Sequence, residues 1–332
     1  METKSVTTKE QRGPAVLILA YNRVDEFRQT LQTVVQQDPA SIYVSVDGPK
    51  FRSKEDEGNV SAVQEAVLEF QESHAISARF AETNGGVLDG VLGGIDWFFS
   101  HEKRGIVLED DVVIAPNSLG LASSLLEKLE PRTHIGSVSL FNPVPNKELA
   151  HPGDAIRLST MPSSQYWGTW SDRWKATYQF REKSPTAQSR ITTAVEAIPD
   201  RRLRQFWARH LSGSGEGWTC WEDLWILTHW ALDWTATYTN GNFSRHIGFN
   251  QRATNSWDRP SWYPTHFDKV PVLATPDLLL QPDSKADAWY FNQRFGLSPW
   301  KRIKHSLWSR FPIMREFYLR ALRPPAERQR QF

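Results

Sequence analysis

The sequence of 332 residues predicts an α/β fold with a mostly parallel sheet flanked by helices. In the first 140 residues, short apolar runs alternate with longer segments whose apolar residues recur at helical spacing, which is typical of such a sheet. Polar residues follow each of the first four runs. Because ligands bind at the carboxyl ends of the strands in open α/β sheets, the same pattern predicts where a site lies.

Five apolar runs are the predicted strands. They are residues 15–20, 42–46, 78–80, 105–109 and 136–141. Helical spacing marks the segments between them. One helical face holds Phe27, Leu31, Val34 and Val35, and the next holds Val60, Val63 and Val67.

The polar residues at the predicted strand ends are candidate ligand contacts. They are Tyr21, Asn22 and Arg23, then Asp47, then Asn84, Gly85 and Gly86, and finally Glu109, Asp110 and Asp111. Three adjacent carboxylates repel one another unless a cation lies between them or water surrounds them. They indicate either a cation site or an acidic surface turn, and the apolar run GIVL directly before them favours the cation site.

After about residue 150 the alternation stops, and the chain becomes rich in loops and aromatic residues. The fifteen tryptophans are concentrated after residue 160, notably in residues 165–174 and 217–225. Their flat faces either pack the core or stack on sugar rings, and core packing accounts better for most of them. With no internal repeat and no flexible linker, this half is expected to pack on the first half and complete one cleft.

Composition excludes several classes of protein. The formal net charge of +1 excludes the bulk attraction expected of a nucleic-acid-binding protein. The single cysteine, Cys220, excludes an intramolecular disulfide and predicts a reducing, cytoplasmic location. The six-residue apolar run at 15–20 is too short for a signal peptide or a membrane span.

The end of the chain differs from the rest in charge. Residues 301–332 hold nine Lys or Arg and two Glu, a net charge of +7. The basic residues are mixed with apolar ones in a pattern that resembles an amphipathic helix lying on a membrane surface. The alternative is a helix packed on the body with its basic face in solvent. Pro312 interrupts the apolar stripe and leaves both hypotheses open.

Seven motifs, in their order along the chain, resemble the GT-A glycosyltransferases, which use nucleotide-sugar donors, and among them the N-acetylglucosaminyltransferase I type and its bacterial relatives. The motifs are AYNR (20–23), VSVDGP (44–49), NGGVLDGVLGG (84–94), LEDD (108–111), WGTW (167–170), WEDLW (221–225) and SRHIGFN (244–250). The resemblance covers about residues 14–255. It implies a GT-A, Rossmann-like fold and leaves the last 75 residues unmatched.

The resemblance also implies which residues bind the donor. The donor contacts are Tyr21, Asn22, Arg23, Asp47, Asn84, Gly85, Gly86, Glu109 and Asp110, the last two through hydroxyls of the donor sugar or ribose. Asp111 is the implied ligand of Mn²⁺ or Mg²⁺. His246 is either a further metal ligand, a phosphate contact or a buried structural histidine. Arg157, like Arg23, is a candidate partner of the diphosphate, with a surface ion pair as the alternative.

The second half supplies the implied acceptor site and base. The acceptor contacts are Trp167, Gly168, Trp170 and Trp221. Asp223 is the candidate base for the acceptor hydroxyl, and Glu222 is the alternative base or a positioning group. Such a carboxylate contributes about 10²–10⁴ in rate. The alternative is an acidic pair that only complements a helix dipole.

These predictions divide the chain into four segments. Residues 1–13 are a disordered polar N-terminus, 14–150 the nucleotide-sugar-binding half, 151–299 the acceptor and base half of the same domain, and 300–332 a basic amphipathic tail. The predicted function is an inverting, metal-dependent hexosyl- or N-acetylhexosaminyltransferase. It moves a sugar from a UDP donor to a glycan or glycolipid, in the cytoplasm or on the inner face of a membrane. The alternatives are a non-catalytic glycan-binding protein and a nucleotidyltransferase.

Overall fold

The computed structural model describes residues 13–182, 184–213, 218–249, 259–271 and 281–296. Within this part of the chain it confirms the α/β architecture, a mixed eight-stranded sheet flanked by helices. The predicted segment 1–13, apart from Gly13, and the predicted tail 300–332 lie outside the described residues. Among the described residues, no helix combines the length and the apolar character that crossing a membrane requires.

The described residues form strands at β1 Ala15–Ala20, β2 Ile42–Val46, β3 Ile76–Phe80, β4 Arg104–Glu109, β5 Val112–Ile114, β6 Ile135–Ser139, β7 Ile156–Ser159, β8 Trp167–Trp170, β9 Thr235–Thr239 and β10 Ser244–His246. The helices are α1 Val24–Val35, α2 Lys54–Gln71, α3 Gly86–His101, α4 Ser118–Leu129, α5 Ser171–Ala176, α6 Tyr178–Arg181, α7 Pro185–Glu196, α8 Arg201–Gly213, α9 Trp221–Ala231 and α10 Ser284–Arg294. The first two predicted strands match residue for residue, and the other three match within two residues at each end.

The strands of the large sheet lie in the order β3-β2-β1-β4-β8-β6-β9-β7. The first four are parallel neighbours, and β6 and β9 are also parallel. β8 lies antiparallel between β4 and β6, and β7 lies antiparallel at the edge. β5 and β10 form a separate two-stranded antiparallel ribbon.

The large sheet separates two apolar cores, because successive side chains of a strand point to opposite faces. In β1, Val16 and Ile18 face one core, and Leu17 and Leu19 face the other. Helices α1, α2 and α4 cover the first face, and α3 with helices of the second half covers the other. A strand buried on both faces is apolar throughout, which explains the run AVLILA.

The parallel register places the site. Ala20 at the end of β1 lies opposite Val46 at the end of β2, and Leu19 lies opposite Glu109 at the end of β4. The loops that follow these three strands therefore meet at one edge of the sheet. This edge carries the polar residues singled out by the sequence.

Candidate functional site

Glu109, Asp110 and Asp111, termed here the strand-end acids, lie where β4 ends and β5 begins. Asp110 and Asp111 are 2% and 1% exposed. Burial, followed by repulsion from Asp111, raises the pKa of Glu109 to about 8. Burial also raises the pKa of Asp110 to about 7, although Arg23 opposes the change. Carboxylates this close and this well buried need a positive partner.

Arg23 supplies positive charge from the loop after β1. One terminal nitrogen of its guanidinium lies 2.6 Å from Asp110 Oδ1, and the other lies 2.6 Å from Asp111 Oδ2. Burial opposes the charged guanidinium, but Asp110 and Asp111 raise the pKa of Arg23, so it stays charged. The Tyr21 N–H donates to Asp110 Oδ2 at 3.1 Å. Both oxygens of Asp110 are thus engaged inside the protein, and the expected contact with a donor hydroxyl stays a prediction.

Glu109, Asp111 and His246 form a candidate metal site. One ligand atom from each of the three lies within 4.8 Å of the others. Asp111 Oδ1 is buried and has no hydrogen-bond partner among the described residues, so a cation would satisfy it. Carboxylate oxygens suit Mg²⁺, and carboxylates together with an imidazole suit Mn²⁺. The residues present therefore fit a divalent cation.

The two-stranded ribbon brings His246 to the acids, because His246 pairs with Val112. Its Nε2 lies 3.4 Å from Asp111 Oδ2, and the Gly248 N–H donates to its Nδ1 at 3.2 Å. Burial lowers the pKa of His246, which favours the neutral ring that a metal ligand must have. Coordination through Nε2 also requires the proton on Nδ1, so the Gly248 contact would have to give way. Glu109 and Asp111 are therefore the primary candidates, and His246 is the third.

Gly248 leaves room for this cluster. A Cβ at this position would overlap Asp111 Oδ2 and would lie 2.6 Å from Arg23 Nη1. Any larger residue would have to displace the buried ion pair. The close packing against Asp111 and Arg23 therefore explains why position 248 in the motif SRHIGFN is a glycine.

Glu222 and Asp223, termed here the helix-end acids, lie in the first turn of α9. They face the same cleft as Glu109 and Asp111. Arg294 Nη2 lies 2.9 Å from Glu222 Oε2, and His210 Nε2 lies 2.7 Å from Asp223 Oδ2. Glu222 is the largest cause of the raised pKa of Arg294, so Arg294 stays charged beside it. Asp223 is held instead by the imidazole of His210.

A cleft of about 550 Å³ joins the two sets of acids. Glu109 and Asp111 line one side, and Glu222 and Asp223 line the other. Glu222 contributes to the raised pKa of Glu109, so the two walls interact electrostatically. The volume falls within the range of small-molecule sites. Aromatic side chains complete the lining, namely Phe141, Trp221, Phe249, Trp262, Tyr263, Tyr290 and Phe295.

Asp56 organises the loops beside the strand-end acids. Its carboxylate accepts the Tyr21 hydroxyl at 2.5 Å, the Asn22 side-chain amide at 2.6 Å and the Lys50 N–H at 2.7 Å. Tyr21 and Asn22 therefore lie at the predicted edge with their side chains held by Asp56. The sequence analysis did not identify Asp56. The sequence signal for Asp56 was its position three residues after Ser53. Ser53 caps α2, and its side-chain oxygen accepts the Asp56 N–H.

Asp47 caps α3 in place of an external anion. Its carboxylate accepts the N–H groups of Gly85 and Gly86 at 2.9 Å each and the Asn84 side-chain amide at 3.1 Å. The N-terminus of α3 thus binds an anion, and that anion is a carboxylate of the protein. This corrects the expectation that these two amides face the donor. Gly86 has a φ of +65°, which glycine adopts at little cost.

The predicted acceptor contacts Trp167, Gly168 and Trp170 are core residues. Both tryptophans are 1% exposed within β8, and each packs in a different core because residues three apart in a strand face opposite sides. Gly168 permits close strand packing, since a Cβ there would lie 2.7 Å from Ile106. The prediction is therefore wrong for these three residues. Trp221 does line the cleft and stacks on Trp167 at 5.7 Å.

Arg157 and Cys220 also differ from active-site groups. Arg157 is buried at the β7 edge, where its guanidinium donates to Asn142 Oδ1 and Asn240 Oδ1 at 3.0 Å each. It does not line the cleft, which corrects its suggested pairing with a diphosphate. Cys220 does line the cleft, but burial raises the pKa of its thiol to about 11, so it is not a nucleophile at neutral pH.

The sequence analysis missed Arg294 and His210, which hold the helix-end acids. Arg294 lies 72 positions from Glu222, and His210 lies 13 positions from Asp223. No local spacing or motif connects either pair. The partner of each acid is known only once α8, α9 and α10 have been placed.

No protein-family model matches the sequence, and no curated protein is similar to it in sequence. Among solved structures, the chain is similar to the mannosyltransferase PcManGT from Pyrobaculum calidifontis in complex with GDP-Man and Mn²⁺, with a TM-score of 0.35 and 15% identity over 66% of this chain and 69% of that one. It is also similar to 4-diphosphocytidyl-2C-methyl-D-erythritol synthase from Anaerococcus prevotii, with a TM-score of 0.31 and 11% identity over 60% and 85%. Mouse xyloside xylosyltransferase 1 in its apo form is similar with a TM-score of 0.30 and 11% identity over 64% of this chain and 81% of that one. The proposals below rest on the geometry of the site.

Proposed function

We propose that this protein is a metal-dependent glycosyltransferase that moves a sugar from a nucleotide diphosphate donor to a hydroxyl of an acceptor. The observation that carries the proposal is the single cleft with two sets of acids. The candidate metal site Glu109, Asp111 and His246 lies on one wall, and Glu222 and Asp223 lie on the other. Transfer from a diphosphate donor needs compensation of the leaving charge and a base for the acceptor, and one wall suits each task.

The strand-end acids form the donor side. Glu109, Asp111 and His246 would hold a divalent cation, which neutralises charge on a diphosphate leaving group. Arg23 lines the same cleft and stays charged, so it offers a second positive group to the diphosphate. Asp110 keeps Arg23 in place through the 2.6 Å ion pair.

The helix-end acids form the acceptor side. In the proposed step the acceptor oxygen forms a bond to C1 of the sugar, and the bond between C1 and the phosphate oxygen breaks with its electron pair leaving on the diphosphate. The acceptor proton goes to Asp223. His210 holds Asp223 at 2.7 Å and orients it, while the ion pair with the charged Arg294 favours a positioning role for Glu222. Trp221 and the other aromatic residues of the cleft exclude water.

The finer assignments rest on the motif resemblance and on the opposed walls. A base on the side of the sugar away from the diphosphate implies inversion at C1. A UDP donor, a hexosyl or N-acetylhexosaminyl group and a glycan or glycolipid acceptor are the classes that the resemblance implies. The cytoplasmic location and the membrane contact through residues 300–332 remain predictions from the sequence.

Donor binding and donor chemistry test the proposal together. A panel of nucleotide sugars is first screened by thermal shift with Mn²⁺ and with EDTA, because a ligand that binds the folded state raises its apparent stability. The donor that stabilises the protein only with Mn²⁺ is then incubated with sugar acceptors, and the products are analysed by NMR. We expect a nucleoside diphosphate and a product of inverted anomeric configuration.

Three results would contradict the proposal. Release of pyrophosphate would indicate a nucleotidyltransferase. Stabilisation by free glycans with no response to any nucleotide sugar would indicate a glycan-binding protein. A donor response that is equal in Mn²⁺ and EDTA would remove the metal role of the strand-end acids.

A further inference from the structure

A second, smaller cavity of about 370 Å³ lies beside the helix-end acids, and it is termed here the arginine cavity. Its lining residues are Arg202, Gln205, Phe206, Arg209, His210, Phe295 and Gly296. The lining holds two guanidinium groups and an imidazole and no carboxylate. A cavity of this composition attracts an anion.

The charge of the cavity comes from α8. Residues 201–213 hold four arginines and a histidine and no Asp or Glu. Leu203 and Trp207 are buried against the core, so the polar side of α8 faces outward. Residues 202, 205, 206, 209 and 210 recur at helical spacing and line the cavity along that side.

Arg209 carries the available charge. Arg202 is paired with Asp200 at 3.2 Å, and Arg204 donates to the carbonyl oxygens of Glu196 and Ile198. Arg209 is exposed and has no carboxylate partner among the residues that the structure describes. An exposed arginine in a concave lining is free to bind an oxyanion through two parallel hydrogen bonds.

Aromatic rings give the arginine cavity flat walls. The Phe206 and Phe295 ring centroids lie 4.9 Å apart, and the His210 ring stacks on Phe206 with an angle of 7° between their planes. Aromatic faces beside charged donors suit an amphipathic ligand such as a sugar that carries a charged substituent. An inorganic ion alone would leave these faces unused.

Two residues connect the arginine cavity to the cleft. Phe295 lines both spaces, and His210 lines the cavity while its Nε2 binds Asp223. The arginine cavity therefore lies next to Asp223, with His210 between them. The positive lining adjoins the acceptor side and not the donor side.

We infer that the acceptor is anionic: it carries a phosphate or a carboxylate that binds in the arginine cavity while its reacting hydroxyl lies at Asp223. This inference rests on the proposed function, which it deepens by naming the acceptor class. Arg209 is the residue that selects such acceptors. It is a specificity residue and takes no part in the transfer step.

Binding of charged and neutral sugars tests the inference without donor or metal. The probes are glucuronic acid, glucose 6-phosphate and glucose, titrated into the full-length protein in EDTA at low salt and followed by NMR. We expect at least one charged probe to bind about 10-fold more tightly than glucose, with the advantage declining as salt is added. Binding of glucuronic acid alone would point to a carboxylate acceptor, and binding of glucose 6-phosphate alone to a phosphate acceptor.

Variants locate the binding. Arg209→Gln is expected to abolish the charge preference, and Arg209→Lys to restore part of it. Arg132→Gln is the matched control, because Arg132 is an exposed arginine between α4 and β6 that does not line the arginine cavity. The inference is overturned if neither charged probe binds better than glucose, or if Arg209→Gln binds like the wild type.

The two proposals fail separately. Charge-selective binding through Arg209 in a protein that never binds a nucleotide sugar would refute the proposed function and keep the arginine cavity. Mn²⁺-dependent donor turnover with no preference for charged acceptors would refute the arginine cavity and keep the proposed function.

Discussion

The two acidic walls of the cleft differ in how their charge is compensated. The strand-end acids are packed together, two of them buried, and they share Arg23, yet Asp111 Oδ1 still has no partner among the described residues. The helix-end acids are each held by a separate partner, Arg294 for Glu222 and His210 for Asp223.

This difference teaches what each wall can do. A buried cluster with an unsatisfied oxygen gains from a further cation, because the desolvated charge is only partly compensated. Each helix-end acid already has its own partner and has no such need, and Asp223 lines the cleft, where a carboxylate can accept a proton. The comparison supports the proposed division of roles, with metal binding at the strand-end acids and base chemistry at the helix-end acids.

Asp223→Asn gives the largest expected effect. We expect the rate of transfer to fall by about 10²–10⁴ because the amide keeps the shape but accepts no proton. Mn²⁺ affinity should not change, since Asp223 lies outside the candidate metal site. Single-turnover rates and calorimetric Mn²⁺ titration measure the two quantities. Glu222→Gln is the matched variant, and a greater rate loss in Glu222→Gln would reverse the assignment of the base.

Arg23→Gln tests whether the strand-end acids need their shared partner. Removing one member of a buried ion pair costs about 3–5 kcal/mol of the free energy of unfolding, and we expect that loss in EDTA. Mn²⁺ should then stabilise the variant more than the wild type, because it replaces the missing charge. Urea denaturation with and without Mn²⁺ checks both. The exposed pair of Arg28 and Glu69 is the control, and Arg28→Gln should cost less than about 1 kcal/mol.

Asp111→Asn tests the metal site directly. The variant keeps one oxygen and loses the charge, so we expect Mn²⁺ affinity to fall about 100-fold, equivalent to about 3 kcal/mol of binding free energy. Calorimetry without donor measures it. Asp154→Asn, at an exposed position, should bind Mn²⁺ like the wild type. Unchanged affinity in Asp111→Asn would place the cation elsewhere.

Gly248→Ala tests how tightly the strand-end acids are packed. The added Cβ would overlap Asp111 Oδ2, so we expect a loss of about 1–3 kcal/mol in the free energy of unfolding and weaker Mn²⁺ binding. Gly153→Ala is the control, because a Cβ at Gly153 meets nothing within 4 Å. Equal stability of the two variants would show that the cluster rearranges freely.

His229 makes the folded protein less stable at acid pH. It lies in α9, and burial lowers its pKa to about 3. Below its ordinary pKa of about 6.5 the unfolded chain binds a proton that the folded chain does not, so stability is complete above that pH and declines as pH falls. At pH 5 the loss is about 2 kcal/mol.

His229→Gln separates this loss from titration of the base. The variant retains an amide near Ser137, whose hydroxyl lies 3.1 Å from His229 Nε2, and no longer titrates. The wild type is expected to lose more unfolding free energy between pH 7 and pH 5 than the variant, and the difference should be about 2 kcal/mol. Urea denaturation at both pH values measures it. An undiminished decrease would assign the acid sensitivity to other groups.

The sequence predicted the sheet and the edge where its polar residues gather, because both depend on short-range patterns. Apolar runs bounded by polar residues located β1 and β2 to the residue. The motif order placed Asp111 and His246 in one site, and the structure brings them together with Glu109.

The roles of individual side chains depended on partners that are distant in sequence. Asp47 binds two amides predicted to face the donor, and Arg23 binds two acids. The motif WGTW was wrongly interpreted as an acceptor site. Its two tryptophans are three positions apart, and in a strand such residues face opposite sides of the sheet. Arg294 lay in the region that no motif covered.

The short ribbon of β5 and β10 has a consequence for biosynthesis. Val112 and His246 pair only after most of the polypeptide has left the ribosome. A truncated product that ends before residue 246 would lack one of the three residues of the candidate metal site, so under the proposed function the complete site forms late in synthesis.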